Sequence, residues 1–271
     1  MSDSRRFPAE WEYQSAILMA WPHAGTDWAV RLESTRLCFA GIATAISRHQ
    51  TLLLLVSDAA VEADARTALV QSNADLERVR FITLPYNDTW LRDSGPISLR
   101  NADGFELLDF HFTAWGGKFE AGLDDRIVSE MDAQGLFRNA EHKRIDFALE
   151  GGGIETDGAG TLLSTWHCLH ERHPKKSRAD IEAVLKKHLR QDRVLWLEHG
   201  YREGDDTDAH IDTLARFASE SAIVYQGCDD PQDSHYPELQ AMAAELAKLL
   251  TAAGKPYTLH ALPWPKPILD D

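Results

Sequence analysis

Short apolar runs of strand length alternate with helix-like segments along the whole 271-residue chain. The run "TLLLLV" at 51–56 has the length of a strand, whereas residues 31–48 repeat apolar side chains at the helical period. Strands and helices interleaved in this way predict a single α/β architecture over residues 1–271. The side chains expected to form the apolar face of the first helix are Leu32, Leu37, Ile42, Ala45 and Ile46.

Two later helices carry clear end signals. Ser177 and Asp180 form the S-x-x-D pattern of a capping box, which predicts a helix over 177–190. Pro237 suits a first helical turn and Gly254 a stop, so another helix is expected between them. Among the predicted strands, "RIDFALEGG" and "GTLLST" are expected to pair with each other, and "IDTLARFA" is expected to be extended.

The composition narrows the classes of function. A formal net charge of −15 disfavours nucleic acid and anionic membranes and favours a cationic ligand, although it serves solubility equally well. No apolar run has the length of a membrane span, and the first residues lack the apolar region of a signal peptide. Three widely spaced cysteines argue against a disulfide framework and predict a cytoplasmic protein. No nucleotide-binding glycine motif follows a strand, so no nucleotide cofactor is expected.

Three acidic residues recur at nearly constant spacing, each beside a predicted strand. Asp93, Glu150 and Asp212 are separated by 57 and 62 residues. A period of this length indicates similar modules that each present one acidic group. An acidic chain also produces such triples by chance, so the spacing alone is a weak indication.

The residues around the first two acids favour exposed, ligand-facing positions. In "NDTWLRDSGP" the chain turns sharply after Asp93, and Trp90 can form an apolar wall beside the carboxylate. In "LEGGG" three glycines follow Glu150 and allow close approach of the backbone to a ligand. The "FTAWGGK" stretch, with Phe112 and Trp115, fits either a pocket wall or a core cluster. A surface Arg-Asp ion pair and a solvated Glu are the simpler alternatives.

The third acid lies in "GDDTDAHIDTLARF", which crowds four acidic residues and a histidine. If residues 210–214 are extended, His210 and Asp212 point to the same face. A histidine beside carboxylates suits general acid–base chemistry. Asp205 and Asp206 are expected to be solvated loop charges. A hard divalent cation bound by His210 and Asp212 together with Asp205, Asp206 and Asp208 is an alternative, which would make the protein a metal-dependent hydrolase.

Five motifs in the same order resemble those of the agmatine deiminase (agmatine iminohydrolase) family of the guanidine-modifying superfamily, which is closely related to bacterial peptidylarginine-deiminase-type proteins. The motifs are "AEWEYQSAILMAWP", "NDTWLRDSGP", "FTAWGGK", "LEGGGIETDGAGTLLST" and "GDDTDAHIDTLARF". The resemblance implies a five-fold pseudosymmetric α/β propeller of ββαβ modules, with the last module missing or incomplete in residues 1–271. One family segment differs, because "LNPNRNP" reads "LHERHPKKS" here.

The resemblance also implies a reaction and its residues. The family hydrolyses agmatine to N-carbamoylputrescine and ammonia, a step of putrescine biosynthesis, without metal or organic cofactor. Asp93 and Asp212 would bind the guanidinium nitrogens, Trp90 would line the pocket, and Glu150 and His210 would form the acid–base pair. Opposed carboxylates suit this substrate because a guanidinium is planar, charged and offers forked N–H donors.

The family's nucleophilic cysteine has no counterpart among the three cysteines. Cys38 is expected to be a small buried side chain in the first helix, Cys168 a non-catalytic residue and Cys228 a loop residue. The nucleophile is therefore expected beyond residue 271, and residues 1–271 alone are expected to be inactive. Two alternative functions stay open: a deiminase of peptidyl-arginine or another guanidino compound, and a non-catalytic guanidinium-binding remnant. A homodimer is also possible from the sequence. No nucleic-acid or membrane partner is expected.

Overall fold

The structure is a computed structural model that describes residues 5–101, 104–137 and 140–266. Its strands are Ala16–Ala20 (β1), Thr51–Val56 (β2), Val79–Thr83 (β3), Ile97–Asn101 (β4), Gly104–His111 (β5), Ala140–Ala148 (β6), Glu155–Thr156 (β7), Thr161–Thr165 (β8), Arg193–Leu197 (β9), Ala215–Ser219 (β10), Ala222–Gln226 (β11) and Thr258–Leu262 (β12). Its helices are Leu32–Ser47 (α1), Ala59–Gln71 (α2), Leu91–Ser94 (α3), Ala114–Gly117 (α4), Ile127–Ala133 (α5), Trp166–Arg172 (α6), Arg178–Leu189 (α7) and Tyr236–Leu246 (α8).

The strands of the described residues form small three-stranded sheets, ordered β1-β2-β3, β4-β5-β6, β7-β8-β9 and β10-β11-β12. In the last two sheets the first pair of strands is antiparallel, helices follow, and the third strand returns parallel to the second. Each of these two sheets is therefore a ββαβ module. The β1-β2-β3 sheet is parallel throughout, with α1 and α2 as its crossover helices.

The chain divides into two compact units. The first unit comprises the described residues up to Trp11, Ile97–Leu108 and those from Phe147 onward, and the second comprises Glu12–Pro96 and Asp109–Asp146. The core of the first unit packs the β10-β11 pair against α8, with fully buried residues that include Ile211, Ile223, Leu239, Met242 and Leu246. The buried clusters of the second unit include one around Trp21, Leu52 and Leu54 and one around Leu55, Ile82 and Ile127.

Several predicted elements are confirmed. Ser177 caps α7, and its side chain and that of Asp180 form the reciprocal capping box. Helix α1 covers the expected residues. No helix within the described part of the chain is both long and apolar enough to span a bilayer.

Other details differ from the prediction. The buried residues of α1 are Ala40, Ala43, Thr44 and Ser47, whereas Leu37 and Ile42 are exposed. Cys38 is exposed as well, so the prediction of a buried thiol there is wrong. Helix α8 ends at Leu246, earlier than predicted. Strand β8 pairs with β7 and β9 rather than with β6, because the second chain reversal comes within "ETDGAG".

Candidate active site

The three spaced acids occupy similar positions in the fold. Asp93 lies in the single turn of α3, just before β4. Glu150 directly precedes the 3-10 turn Gly151–Gly153, just before β7, and Asp212 lies in the 3-10 turn Ile211–Thr213, just before β10. Strands β4, β7 and β10 each begin an antiparallel pair. The spacing in sequence thus corresponds to one recurring local arrangement: an acid, a helical turn and an antiparallel pair.

Glu150 and His210 lie together in the first unit. His210 Nε2 is 3.5 Å from Glu150 Oε2, and both side chains are almost completely buried. Burial by itself raises the pKa of Glu150, but the imidazole of His210 and the charge of Arg172 outweigh it and hold the pKa below its ordinary value. Glu150 is therefore a buried carboxylate at neutral pH, and its charge favours the imidazolium form of His210.

Arg172 is the site residue that the sequence did not reveal. Its Nε donates to both oxygens of Glu150, at 2.8 and 3.1 Å. Its Nη1 donates to Asp208 at 2.6 Å and its Nη2 to the carbonyl oxygen of Thr207 at 3.0 Å. The side chain is fully buried, so one guanidinium joins the carboxylate of the acid–base pair to the turn that precedes His210. The only signal for it is its place in "LHERHP", which differs from the family's "LNPNRNP" but shares its Arg-x-Pro.

The turn before His210 is strained and closely held. Asp208 and Ala209 both have left-handed backbone angles, with φ of 63° and 66°. Asp205 accepts hydrogen bonds from the backbone N–H groups of Thr207 and Ala209, at 2.9 and 2.8 Å. Burial raises the pKa of Asp205, yet the hydrogen bonds from the Thr207 hydroxyl and from these two backbone N–H groups bring it below its ordinary value. Asp205 therefore organises the turn, and its prediction as a solvated loop charge is wrong; Asp206 is exposed as expected.

The sequence predicted that His210 and Asp212 lie on one face of a strand, and this prediction is wrong. His210 precedes the 3-10 turn and Asp212 lies inside it, because β10 begins only at Ala215. Asp212 is half-buried, and its charge is one of those that raise the pKa of Arg216. The principal partner of Arg216 is the buried Glu155, at 2.7 Å.

In the second unit, Asp93 is fixed by an indole. Trp115 Nε1 donates to Asp93 Oδ2 at 2.9 Å. Trp90 is 41% exposed, and its ring lies 5.5 Å from that of Trp28 and 6.4 Å from that of Trp115. Trp115 also belongs to a buried cluster with Phe112, so the "FTAWGGK" stretch contributes both to packing and to the orientation of Asp93.

Glu150, Cys168 and His210 are the described residues that could hold a metal ion together. Their donor atoms lie within 4.8 Å of one another and all three side chains are buried. The alternative cation site at the crowded acids has less support, since Asp208 is paired with Arg172 and Asp205 with backbone N–H groups. Burial raises the pKa of the Cys168 thiol, and the contact with His210 only partly offsets this.

Comparison with known proteins identifies the class. A family model described as Porphyromonas-type peptidyl-arginine deiminase matches residues 6–271. An agmatine deiminase of Pseudomonas fluorescens is 35% identical, over 98% of this chain and 72% of its own length. A Cys-to-Ser variant of the C. jejuni agmatine deiminase, solved with substrate bound, is 34% identical with a TM-score of 0.87, over 98% of this chain and 76% of that one. The agmatine deiminase of Enterococcus faecalis is 28% identical with a TM-score of 0.83, over 96% of this chain and 70% of that one.

The mixed α/β fold with its small sheets is that of solved agmatine deiminases, and the class is that of hydrolases acting on C–N bonds. The chain belongs to the family of Porphyromonas-type peptidyl-arginine deiminases.

Proposed function

We propose that the protein hydrolyses the guanidinium group of agmatine to N-carbamoylputrescine and ammonia. The buried Glu150–His210 pair carries this proposal, because it is a charged carboxylate held against an imidazole in a family of deiminases. The choice of agmatine as the substrate rests on the relatives named agmatine deiminase. The product would enter putrescine formation, and a cytoplasmic location stays a prediction.

Asp93 and Asp212 are proposed to bind the guanidinium nitrogens. A carboxylate accepts hydrogen bonds from two N–H groups of a guanidinium, so two carboxylates can fix the plane of the guanidinium. The indole N–H of Trp115 donates to Oδ2 of Asp93 and orients the carboxylate that we assign to substrate. Trp90, exposed and aromatic, is proposed to line the pocket, where an aromatic face stabilises a cation.

The proton transfers are assigned to the Glu150–His210 pair. A thiolate attacks the guanidinium carbon to give a tetrahedral adduct, and His210 donates a proton to the departing ammonia. The same imidazole then takes a proton from water, which attacks the thiouronium carbon. Collapse of the second adduct forms the C=O bond and breaks the C–S bond, the hydroxyl proton passes to solvent, and the ureido product and the thiolate are released. Glu150 stabilises the imidazolium in both steps.

The thiolate is proposed to come from a cysteine outside residues 1–271. The agmatine deiminases compared above are matched over 70–76% of their length, and the substrate-bound C. jejuni protein is a Cys-to-Ser variant. Cys168 is a poor candidate, because its thiol is fully buried and its pKa is raised, which lowers the thiolate population. We also propose that the protein is a five-fold propeller and one catalytic domain. The two ββαβ modules support this proposal.

The test uses residues 1–271 as they stand. We expect calorimetry to detect agmatine binding and an ammonia assay to detect no turnover, whereas a chain extended by the residues encoded after 271 releases ammonia. Asp93→Asn in the extended chain should raise KM for agmatine.

Residues 1–271 could instead release ammonia by themselves. If Cys168→Ser abolishes this activity and the matched control Cys228→Ser does not, Cys168 is the nucleophile. Faster turnover of an arginine-containing peptide than of agmatine would favour the peptidyl-arginine deiminase that the family description names. Binding without turnover in both forms of the chain would identify a guanidinium-binding remnant. Loss of activity in EDTA would favour a metal-dependent hydrolase.

A further inference from the structure

Three donor groups of different chemistry meet inside the first unit. Glu150 supplies a carboxylate, Cys168 a thiol and His210 an imidazole, and their donor atoms lie within 4.8 Å of one another. All three side chains are almost completely buried. The reaction proposed above uses the carboxylate and the imidazole but gives the thiol no role. A buried thiol against the acid–base pair is therefore a group that the reaction leaves unexplained.

The spacing of the donors fits the ligands of one small cation. Zinc forms tetrahedral bonds of about 2.0–2.3 Å to oxygen, nitrogen and sulfur, which places neighbouring ligand atoms roughly 3.3–3.6 Å apart. His210 Nε2 lies 3.5 Å from Glu150 Oε2. These two atoms therefore need little movement to bind the same ion, and the thiol lies within reach of both.

Gly153 keeps one side of the donors free of side chains. Apart from its neighbours in the chain, the atom nearest to a Cβ built on Gly153 is Cys168 Sγ at 3.4 Å, and His210 Nε2 is 3.9 Å away. Any side chain at this position would lie against two of the three donors. Because residue 153 is a glycine, the space beside Sγ and Nε2 is left to an ion and to a water molecule as its fourth ligand.

The chemistry of the donors selects the metal. A thiolate is a soft ligand and an imidazole suits zinc and other late transition metals, so this set favours zinc. Hard cations such as Mg²⁺ and Ca²⁺ take oxygen ligands and would leave the thiol unused. The cluster therefore differs in kind from a hard-cation site at the crowded acids.

The buried charges around the cluster can balance a divalent cation. Arg172 contacts Glu150 at 2.8 Å and Asp208 at 2.6 Å, so one cation faces two carboxylates and one negative charge is left over among the three groups. When Cys168 binds a metal, its S–H bond breaks, the electron pair forms the Zn–S bond and the proton passes to solvent. The thiolate adds a second negative charge, and Zn²⁺ neutralises both while His210 stays neutral.

We propose that Glu150, Cys168 and His210 form a zinc site and that a zinc ion bound there inhibits the enzyme. With zinc bound, His210 Nε2 carries the metal in place of a proton, so the imidazole neither protonates departing ammonia nor takes a proton from water. The ion enters by the route that the substrate needs to reach His210. The inhibition rests on the proposed function, whereas the binding of zinc does not.

The first experiment measures metal binding to residues 1–271 without an activity assay. Metal-free protein carrying Cys38→Ser, which removes the exposed thiol, is titrated with Co²⁺ as a coloured substitute for zinc. We expect one ion per chain, with the near-ultraviolet absorption of a thiolate–cobalt bond, and Zn²⁺ should displace it. Mg²⁺ should not compete. X-ray absorption of the zinc-loaded protein should show one sulfur at about 2.3 Å from the metal.

Variants in the same background assign the ligands. Cys168→Ser should abolish the thiolate–cobalt absorption and weaken zinc binding at least about a hundredfold, since even changes to groups that surround a metal ligand cost about 10–100-fold. Cys228→Ser is the matched control, because Cys228 is also a buried thiol, and it should bind zinc as the parent does. His210→Asn keeps the thiol, so it should weaken binding to a similar extent while the sulfur signal persists.

The second experiment tests inhibition in the chain extended by the residues encoded after 271. Zinc should suppress the release of ammonia from agmatine, and EDTA should restore it. Cys168→Ser should release ammonia at a rate that zinc changes much less. The effect of EDTA is thus opposite to that expected for a metal-dependent hydrolase, in which the chelator abolishes activity.

Three results would overturn the proposal. A titration of residues 1–271 without thiolate–cobalt absorption would show that the three donors hold no metal, whatever the activity of the chain. Equal losses of zinc binding in Cys168→Ser and Cys228→Ser would remove the assignment to Cys168. Inhibition by zinc that is unchanged in Cys168→Ser would place the inhibitory ion elsewhere. An extended chain that releases no ammonia under any condition would contradict the proposed function and with it the inhibition, while the cobalt titration still decides the site.

Discussion

At the scale of single residues, the candidate site depends on a buried ion pair, in which the guanidinium of Arg172 neutralises the carboxylate of Glu150. Glu150 has no exposed surface, and a carboxylate in such a place is ordinarily protonated. The hydrogen bond with His210 and the charge of Arg172 reverse this, and Arg172 Nε contacts both oxygens of Glu150. His210 then faces an ionised partner. The sequence indicated Glu150 and His210 through glycines and neighbouring acids, but no local pattern shows that the guanidinium of Arg172 packs inside the protein.

Arg172→Met should therefore destabilise the protein. Removing one partner of a buried ion pair costs about 3–5 kcal/mol, since the remaining carboxylate is left in an apolar environment. The measurement is the free energy of unfolding in urea at neutral pH. Arg78→Met is the control, because Arg78 and Asp75 are both exposed and such pairs contribute less than about 1 kcal/mol. Equal effects of the two substitutions would contradict the role assigned to Arg172.

Asp124 makes the stability of the fold depend on pH. Burial raises its pKa to about 6, although it accepts hydrogen bonds from the backbone of Asn87 and Asp88. Because the pKa is higher in the folded protein, this group stabilises the fold below pH 4 and the contribution is lost as the pH rises towards 6. The loss is at most about 3 kcal/mol.

Asp124→Asn should remove this loss. The asparagine keeps an acceptor oxygen but cannot ionise, so the stability of the variant relative to wild type should increase between pH 4 and pH 7. Thermal unfolding across this range measures it. The exposed Asp229→Asn is the control and should follow wild type at each pH. A constant difference between Asp124→Asn and wild type would exclude the assigned titration.

At the scale of elements, the turn before His210 shows how local strain positions a side chain. Two successive residues with positive φ are unfavourable unless other contacts hold them. Here Asp205 binds the backbone of Ala209, Arg172 binds Asp208, and Thr165 donates to the carbonyl oxygen of Ala209 at 2.7 Å. The alternation seen in "AHIDT" suggested a strand, but these contacts favour a tight turn followed by a 3-10 helix.

Substitutions at Ala209 should separate backbone strain from side-chain packing. Ala209→Gly is expected to change stability by less than about 1 kcal/mol, because glycine adopts this backbone at no steric cost. Ala209→Val is expected to cost about 2 kcal/mol, because β-branched residues strongly disfavour positive φ. Urea unfolding of the two variants checks this, and similar values for both would show that strain at this position is unimportant.

At the scale of the whole molecule, charge and chain organisation act together. The net charge of −15 is spread over a chain whose proposed substrate, agmatine, carries two positive charges. A negative field raises the local concentration of a cation, and salt screens it with a Debye length of about 10 Å at 0.1 M.

The affinity for agmatine should therefore fall several-fold when the ionic strength is raised to about 0.5 M, where screening removes the long-range attraction. Calorimetric dissociation constants at low and high salt provide the measurement. A guanidino acid of similar length, which has no net charge, is the control ligand and should respond much less. Equal salt dependence of both ligands would mean that only short-range contacts determine affinity.

The sequence by itself determined the α/β class, the helix caps, the family and the three acids at similar positions, because periodicity, capping and motif order are local properties of the chain. The tertiary structure decided which side chains meet. It placed Arg172 on Glu150, turned the crowded acids into a strained turn before His210, and left Leu37 and Ile42 of α1 in solvent. These features arise from packing between segments distant in sequence, where burial and charge pairing outweigh local preference.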